Sequence, residues 1–157
     1  MSSVELPQHP SRNDEEIACA AETSVPVLIT SPDRETRHNI ARTIHERSLQ
    51  TLGPFIIIDC AEPRAALPAA PVFDTQSAVR LDIESRKGTL FLDEIGSLAL
   101  REQAFLKQFL ESRDTGTAAR LRVIAGSSVS LLERVHAKQF RDDLFYHLNM
   151  IHIGAVA

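Results

Sequence analysis

The sequence predicts a three-layer α/β fold, in which helices cover both faces of a mainly parallel, five-stranded sheet. Five short apolar runs, rich in β-branched or aromatic residues, recur along the chain. These runs lack strict alternation of polar and apolar residues, which is typical of strands that are buried on both faces. Segments with helical periodicity separate them, and strands that alternate with helices favour parallel pairing through right-handed crossovers.

The individual elements follow from these patterns. The strands are predicted at residues 25–30, 54–59, 88–93, 121–126 and, from a weaker run, 150–154. The helices are predicted at residues 14–21, 33–49, 97–112, 131–137 and 141–148. Pro32 and Asp33 are plausible start signals for the second of these helices. Residues 1–13 are polar and contain two prolines, which predicts a disordered lead-in, and residues 61–80 are predicted to be a loop.

Composition and length favour a single cytoplasmic domain. The chain has 157 residues, and residues 14–157 are long enough to bury a core without disulfides. The net charge of −4 argues against binding to nucleic acid, which usually requires a basic face. Cys19 and Cys60 have no metal-type spacing, which favours reduced thiols. No apolar run approaches the length of a membrane span, about 18 residues or more, so no membrane association is expected.

The most informative stretch is 88–95, Gly-Thr-Leu-Phe-Leu-Asp-Glu-Ile, where an apolar strand ends in two adjacent carboxylates. Ligands of open α/β sheets bind at the carboxyl ends of the strands. In a nucleotide hydrolase, Asp93 would hold Mg²⁺, directly or through water, and Glu94 would polarise the attacking water. The alternative is a strand that simply ends in a charged turn, because so short a pattern also arises by chance.

Several motifs in the same order resemble the central ATPase domain of sigma-54-dependent transcription activators, an AAA+ family, over residues 25–153. The matching segments are the strand and helix around the phosphate loop (27–30 and 39–48), the second strand (53–61), the Walker B strand (88–96), and the sensor strand and arginine-finger segment (121–125 and 140–149). The resemblance implies a P-loop-type core with strand order 5-1-4-3-2. It also implies that Asp93 and Glu94 are the Walker B residues and that Arg141 is the arginine finger.

The segment at the phosphate loop departs from the family's Gly-x-x-x-x-Gly-Lys pattern. Residues 31–38 are Ser-Pro-Asp-Arg-Glu-Thr-Arg-His and contain no glycine, although glycines let backbone N–H groups turn towards phosphates. Pro32 lacks an N–H group, and Asp33 and Glu35 add negative charge. Arg37 occupies the lysine position, where a planar guanidinium does not replace a compact ammonium. The helix start could still attract an anion, but a plain strand-to-helix turn is the favoured interpretation.

Two further motifs are altered. The family's sensor strand ends in Ala-Thr-Asn, whereas this chain has Gly126-Ser-Ser128, so Ser128 replaces an amide that would orient water. The arginine-finger segment keeps Arg141 but has His147 at the second arginine position, and histidine is largely neutral near pH 7. We therefore expect little or no ATP hydrolysis and no bound cofactor, with Arg37 and Ser128 as degenerate nucleotide-binding positions. The alternative is an ATP-binding domain with residual activity, in which Asp93 holds Mg²⁺.

The partner that this pattern favours is another protein. The family's Gly-Ala-Phe-Thr-Gly-Ala loop is absent and the span from 60 to 88 looks shortened, which argues against contact with sigma-54. The resemblance would place the family's helical lid after residue 157, and we expect neither that lid nor contact with DNA. Because AAA+ rings use head-to-tail interfaces, the favoured hypothesis is a non-hydrolysing regulator that contacts AAA+ activator subunits or itself. A decayed gene product that still folds is a further possibility.

Overall fold

A computed structural model of the protein describes residues 12–48, 53–61, 88–114 and 122–155. The strands are β1 (Val27–Thr30), β2 (Phe55–Asp59), β3 (Thr89–Asp93), β4 (Arg122–Ser127) and β5 (Ile151–Gly154). The α-helices are α1 (Arg12–Ala21), α2 (Arg34–Arg47), α3 (Leu100–Asp114), α4 (Leu131–His136) and α5 (Asp142–Leu148), and a short 3₁₀ helix covers Ile95–Ser97. Every predicted strand is present, and its ends differ from the prediction by two residues at most.

The five strands form one sheet in the order β2-β3-β4-β1-β5, and every neighbouring pair is parallel. This confirms the predicted fold class and, counted from the other edge, the predicted strand order. Parallel pairing brings the carboxyl ends of the strands to one edge of the sheet. The register places Asp59 beside Asp93 at that edge.

Helices cover both faces of the sheet, because successive strand residues point to opposite sides. On one face, Phe91 and Ile124 pack with the buried side chains of α1 and α2. On the other face, Leu90 and Val123 pack with α3, α5 and Leu131 at the start of α4. The result is the predicted three-layer arrangement, with a separate apolar core on each side of the sheet.

Helix α2 begins where the sequence signals predicted. Asp33 is its N-cap, and the Asp33 Oδ2 accepts a hydrogen bond from the Thr36 backbone N–H over 2.9 Å. The helix then lies along β3 in the opposite direction. His45 Nδ1 is 2.7 Å from Thr89 Oγ1 at the start of β3, and Arg37 reaches Asp93 at its end. Eight helical residues and four strand residues span similar lengths, about 12 Å and about 13 Å, so both contacts form together.

Three predictions about element ends need correction or lie outside the described residues. The helix predicted at 97–112 is two elements, because Leu98 adopts an extended conformation between the 3₁₀ helix and α3. Helix α1 begins at Arg12, within the predicted lead-in, and residues 1–11 of that lead-in are not among the described residues. The loop predicted at 61–80 also lies outside them, apart from Ala61. In the described part of the chain, no helix combines the length and apolarity needed to cross a membrane.

Candidate functional site at the carboxyl ends of the strands

The Asp93 carboxylate is the centre of a buried polar cluster. Asp93 shares a strand face with Phe91, and that face is turned towards α2. Its Oδ1 accepts from Arg37 Nε over 2.8 Å, and its Oδ2 accepts from Arg37 Nη2 over 3.2 Å. His38 Nε2 is the third donor, 3.0 Å from Oδ2. Both oxygens of the predicted magnesium ligand are therefore bonded to side chains of α2.

The Arg37 guanidinium makes further bonds that complete this cluster. Its Nη2 forms an ion pair with Glu94 Oε1 over 2.8 Å, and its Nη1 donates to the Ser31 carbonyl oxygen over 2.8 Å. The Arg37 side chain is only 3% exposed and that of Asp93 is fully buried, so water screens their attraction little. A fork-shaped donor facing a carboxylate is among the strongest charge-assisted pairs in proteins.

The ionisation of both partners agrees with this geometry. Burial alone raises the pKa of Asp93, but hydrogen bonds and charge from Arg37, with the bond to His38, outweigh burial and lower the pKa below its usual value. Burial lowers the pKa of Arg37, and the attraction of Asp93 and Glu94 outweighs it, so that pKa is raised. Both groups are consequently charged at neutral pH, as an internal ion pair.

Glu94 connects the cluster to β4. It adopts a left-handed backbone conformation, with φ 53° and ψ 48°, at the start of the 3₁₀ helix. A non-glycine residue in this region is unfavourable by roughly 1 kcal/mol, so the surroundings must hold it there. Its Oε1 pairs with Arg37, and its Oε2 accepts from Ser128 Oγ over 3.1 Å. The structure thus brings together four predicted site residues: Arg37, Asp93, Glu94 and Ser128.

Gly126 makes room for this arrangement. A Cβ atom at Gly126 would lie 2.5 Å from Asp93 Oδ1 and 3.0 Å from Phe91 Cε2, both too close for ordinary packing. The alanine that the family resemblance would place here therefore conflicts with the position that Asp93 takes when it binds Arg37. Sequence reasoning assigned neither Gly126 nor His38 to the site. The glycine was visible as a departure from the family's Ala-Thr-Asn, and that was the one available signal.

Arg141 belongs to a different cluster. Its Nε donates to Asp143 Oδ1 over 3.0 Å and its Nη2 to Asp143 Oδ2 over 2.8 Å, and Lys107 Nζ lies 3.2 Å from the same Oδ2. The Arg141 backbone N–H donates to the buried Gln103 side chain. Hydrogen bonding by Arg141 dominates over partial burial and lowers the pKa of Asp143 far below its usual value. Among the described hydrogen bonds and ion pairs, none joins Arg141 to Asp93 or Glu94.

Comparison with known proteins assigns the chain to a family. A model of the sigma-54 interaction domain matches residues 8–154. The transcriptional regulator VasH of Vibrio cholerae is 31% identical over 150 residues, which cover 85% of this chain and 28% of VasH. The regulatory protein AtoC of Escherichia coli is 32% identical over 143 residues, which cover 81% of this chain and 31% of AtoC. The chain therefore spans less than half the length of these curated relatives.

Solved structures agree on the fold. NtrX from Brucella abortus, solved in complex with ATP, has a TM-score of 0.77 at 20% identity, over 99% of this chain and 39% of NtrX. The P-loop NTPase domain of a sigma-54 activator from Escherichia coli has a TM-score of 0.64 at 20% identity, over 91% of both chains. At such identities these likenesses show the fold alone. With the family match over residues 8–154, they lead to one conclusion: the chain belongs to the sigma-54 interaction domain family, the AAA+ domain of bacterial transcriptional regulators.

Proposed function

We propose that this chain is a sigma-54-interaction-type AAA+ domain that does not hydrolyse ATP and that acts in transcription regulation, in the cytoplasm, through contacts with other proteins. The observation that carries the proposal is the ion pair between Arg37 and Asp93. It joins the segment that resembles the phosphate loop to the strand that resembles Walker B. A side chain of the domain itself thus occupies the carboxylates on which an ATPase would depend.

The residues present do not fit a magnesium ion. Mg²⁺ requires near-octahedral oxygen ligation at about 2.0–2.1 Å and usually takes one or two protein carboxylates. Here Asp93 Oδ1 and Oδ2 and Glu94 Oε1 already accept from Arg37, and a cation at those oxygens would face the guanidinium charge at close range.

The turn before α2 fits a triphosphate equally poorly. A phosphate loop offers several free backbone N–H groups. In this turn, the Asp33 N–H donates to Ser31 Oγ over 3.3 Å and the Thr36 N–H donates to the Asp33 carboxylate over 2.9 Å, while Pro32 has no N–H. The hydrogen bonds from Thr36 lower the pKa of Asp33, which therefore stays ionised where phosphates would approach. We accordingly expect no ATP or Mg²⁺ as cofactor.

A phosphate-release assay with purified protein, ATP and Mg²⁺ tests the absence of hydrolysis. Wild type and Glu94→Gln should give the same background rate, because no water-polarising step depends on Glu94. Glu111→Gln is a matched control on α3, outside the cluster. Turnover that exceeds the background in wild type and in Glu111→Gln, but disappears in Glu94→Gln, would overturn the proposal.

The proposed partner is an AAA+ activator subunit or a second copy of the chain. Two features support a protein contact near the arginine-finger segment. Tyr146 on α5 is 68% exposed and Met150, just after α5, is 60% exposed, although both side chains are large and apolar. At the start of the same helix, Asp143 orients the Arg141 guanidinium through two hydrogen bonds. We propose no contact with DNA or sigma-54.

Mixing experiments test the partner. The purified chain is added in increasing amounts to an intact sigma-54 activator, and both the ATPase rate and the assembly state of that activator are followed. A contact through this surface should change at least one of them, and Tyr146→Ser with Met150→Ser should weaken the effect. If neither quantity changes at any ratio and the chain alone remains monomeric, the proposed partner is wrong.

A further inference from the structure

One guanidinium links three neighbouring strands of the sheet. Arg37 donates to the carbonyl of Ser31, which directly follows β1, and to Asp93, the last residue of β3. Through Glu94 it also reaches Ser128, which directly follows β4. In the sheet order, β3, β4 and β1 are adjacent, so these bonds cross the whole central part of the carboxyl edge.

Two elements emerge from this edge and pack against each other. Glu94 leads directly into the 3₁₀ helix, and Ser128 leads through Ser130 into α4, which Ser130 Oγ caps by accepting from the Glu133 N–H. The two elements are in contact, since a Cβ atom at Gly96 would lie only 3.2 Å from Leu131 Cδ2. The relative position of the 3₁₀ helix and α4 therefore depends on how Glu94 and Ser128 are held.

The bonded arrangement requires a cation. Asp93 and Glu94 are consecutive carboxylates, and the first is fully buried. An uncompensated buried carboxylate would be strongly unfavourable, and Glu94 additionally occupies a left-handed conformation. Arg37 supplies the positive charge from within the chain and contacts both carboxylates at 2.8 Å. No ligand has to bind before the buried Asp93 carboxylate is paired with a positive charge.

We propose that Arg37 is a built-in cation that fixes the 3₁₀ helix and α4 in one arrangement, independently of any nucleotide. Arg37 is then a positioning residue, and these two elements keep the same relative position whether or not a ligand is present. The inference rests on the proposed function in one respect only, namely that no nucleotide enters the cluster. It adds that the relative position of the 3₁₀ helix and α4 is set by a side chain of the chain itself.

Amide hydrogen exchange of the full chain, followed by mass spectrometry, tests this lock. In Arg37→Met, exchange in residues 94–98 and 128–136 should accelerate by about tenfold or more, because local opening no longer has to break the ion pair. Strand β5 is the reference for the general loss of stability, so the acceleration in the two segments should exceed any acceleration in β5. Arg47→Met, an exposed position on the same helix, is the matched control and should leave both segments unchanged.

A second variant keeps the test decisive if Arg37→Met fails to fold. Ser128→Ala leaves the Arg37–Asp93 pair intact and removes only the link to β4, so exchange should accelerate in 128–136 alone. Unchanged exchange in Ser128→Ala and in any folded Arg37→Met protein would overturn the lock while leaving the absence of hydrolysis untouched. Slower exchange of wild-type residues 94–98 and 128–136 on adding ATP and Mg²⁺ would instead contradict both the lock and the proposed function.

Discussion

Arg37 Nε donates to Asp93 Oδ1 over 2.8 Å, in a pair whose side chains are 3% and 0% exposed. The arginine stands at the position where the family resemblance places the phosphate-binding lysine, and the aspartate stands where it places the magnesium ligand. The two positions that the resemblance assigns to a nucleotide site are thus bonded to each other. Gly126 leaves the space that this bond requires.

The first prediction concerns the stability that this pair contributes. In Arg37→Met the Asp93 carboxylate remains buried without its main partner, and removal of one partner of a buried ion pair costs about 3–5 kcal/mol of unfolding free energy. Urea denaturation followed by circular dichroism measures the change. The control Arg47→Met should stay within about 0.5 kcal/mol of wild type. Adding Asp93→Asn to Arg37→Met should recover part of the lost unfolding free energy. If Arg37→Met loses no more stability than Arg47→Met, the assignment of a stabilising ion pair between Arg37 and Asp93 is wrong.

A second prediction concerns the glycine beside Asp93. In Gly126→Ala the added methyl group would collide with Asp93 Oδ1 and the Phe91 ring, so one of them must move. Overpacking of this kind costs typically about 1–3 kcal/mol. If the carboxylate moves, the Arg37 pair weakens as well, and Gly126→Ala should therefore cost less in an Arg37→Met background than in wild type. Equal costs in the two backgrounds, measured by urea denaturation, would separate Gly126 from the ion pair.

The third prediction concerns pH. His45 is buried, and burial lowers its pKa although hydrogen bonding to the Gly53 backbone and the charge of Glu46 oppose this. Below the unfolded-state pKa, near 6.5, the unfolded chain takes up a proton that the folded chain resists. The contribution of neutral His45 to the free energy of unfolding is therefore complete above about pH 6.5. The protein loses this stability as the pH falls further.

Urea denaturation at several pH values between about 7.5 and 5.5 measures this effect, and His45→Gln should flatten the decline. The exposed His136 on α4 offers the control, and His136→Gln should retain the wild-type slope. If His45→Gln and wild type lose stability in parallel over this interval, His45 is not the group responsible.

A fourth prediction concerns the buried side chain that joins α3 to the arginine-finger segment. Gln103 Nε2 donates to the carbonyls of Leu98 and Gln139, and its Oε1 accepts from the Arg141 N–H. Gln103→Leu leaves these backbone groups without a partner and should cost about 1–3 kcal/mol for each group that stays buried. Gln108 is exposed on the same helix, so Gln108→Leu is the control. Thermal denaturation measures both variants, and similar melting temperatures would refute the role of Gln103.

The sequence was sufficient for the fold because its signals are local. Central strands of a parallel sheet contain continuous apolar runs, and β3 and β4, which are buried along their whole length, have such runs at residues 90–92 and 123–125. Strand order came from the family resemblance, since apolar runs alone do not say which strands are neighbours. The start of α3 could not be placed, because a short 3₁₀ helix and the first turn of an α-helix have similar composition around Leu98.

Four residues of the cluster were visible in the sequence, but their bonding and the parts played by His38 and Gly126 were not. Arg37, Asp93, Glu94 and Ser128 each stood out as a match to, or a departure from, a known motif. That Arg37 turns inward to Asp93 depends on how α2 lies along β3, a tertiary relationship between residues 56 positions apart. Whether an arginine at a lysine position faces a ligand or a carboxylate of its own chain is decided by that packing.

Calorimetric titration of ATP with Mg²⁺ into the purified chain tests the central claim most directly. If Arg37 fills the site as an internal cation, no saturable heat should appear at millimolar nucleotide. Saturable binding in wild type that Asp93→Ala abolishes would contradict the account. Nucleotide and metal would then reach the Asp93 carboxylate, which the account assigns to the ion pair with Arg37.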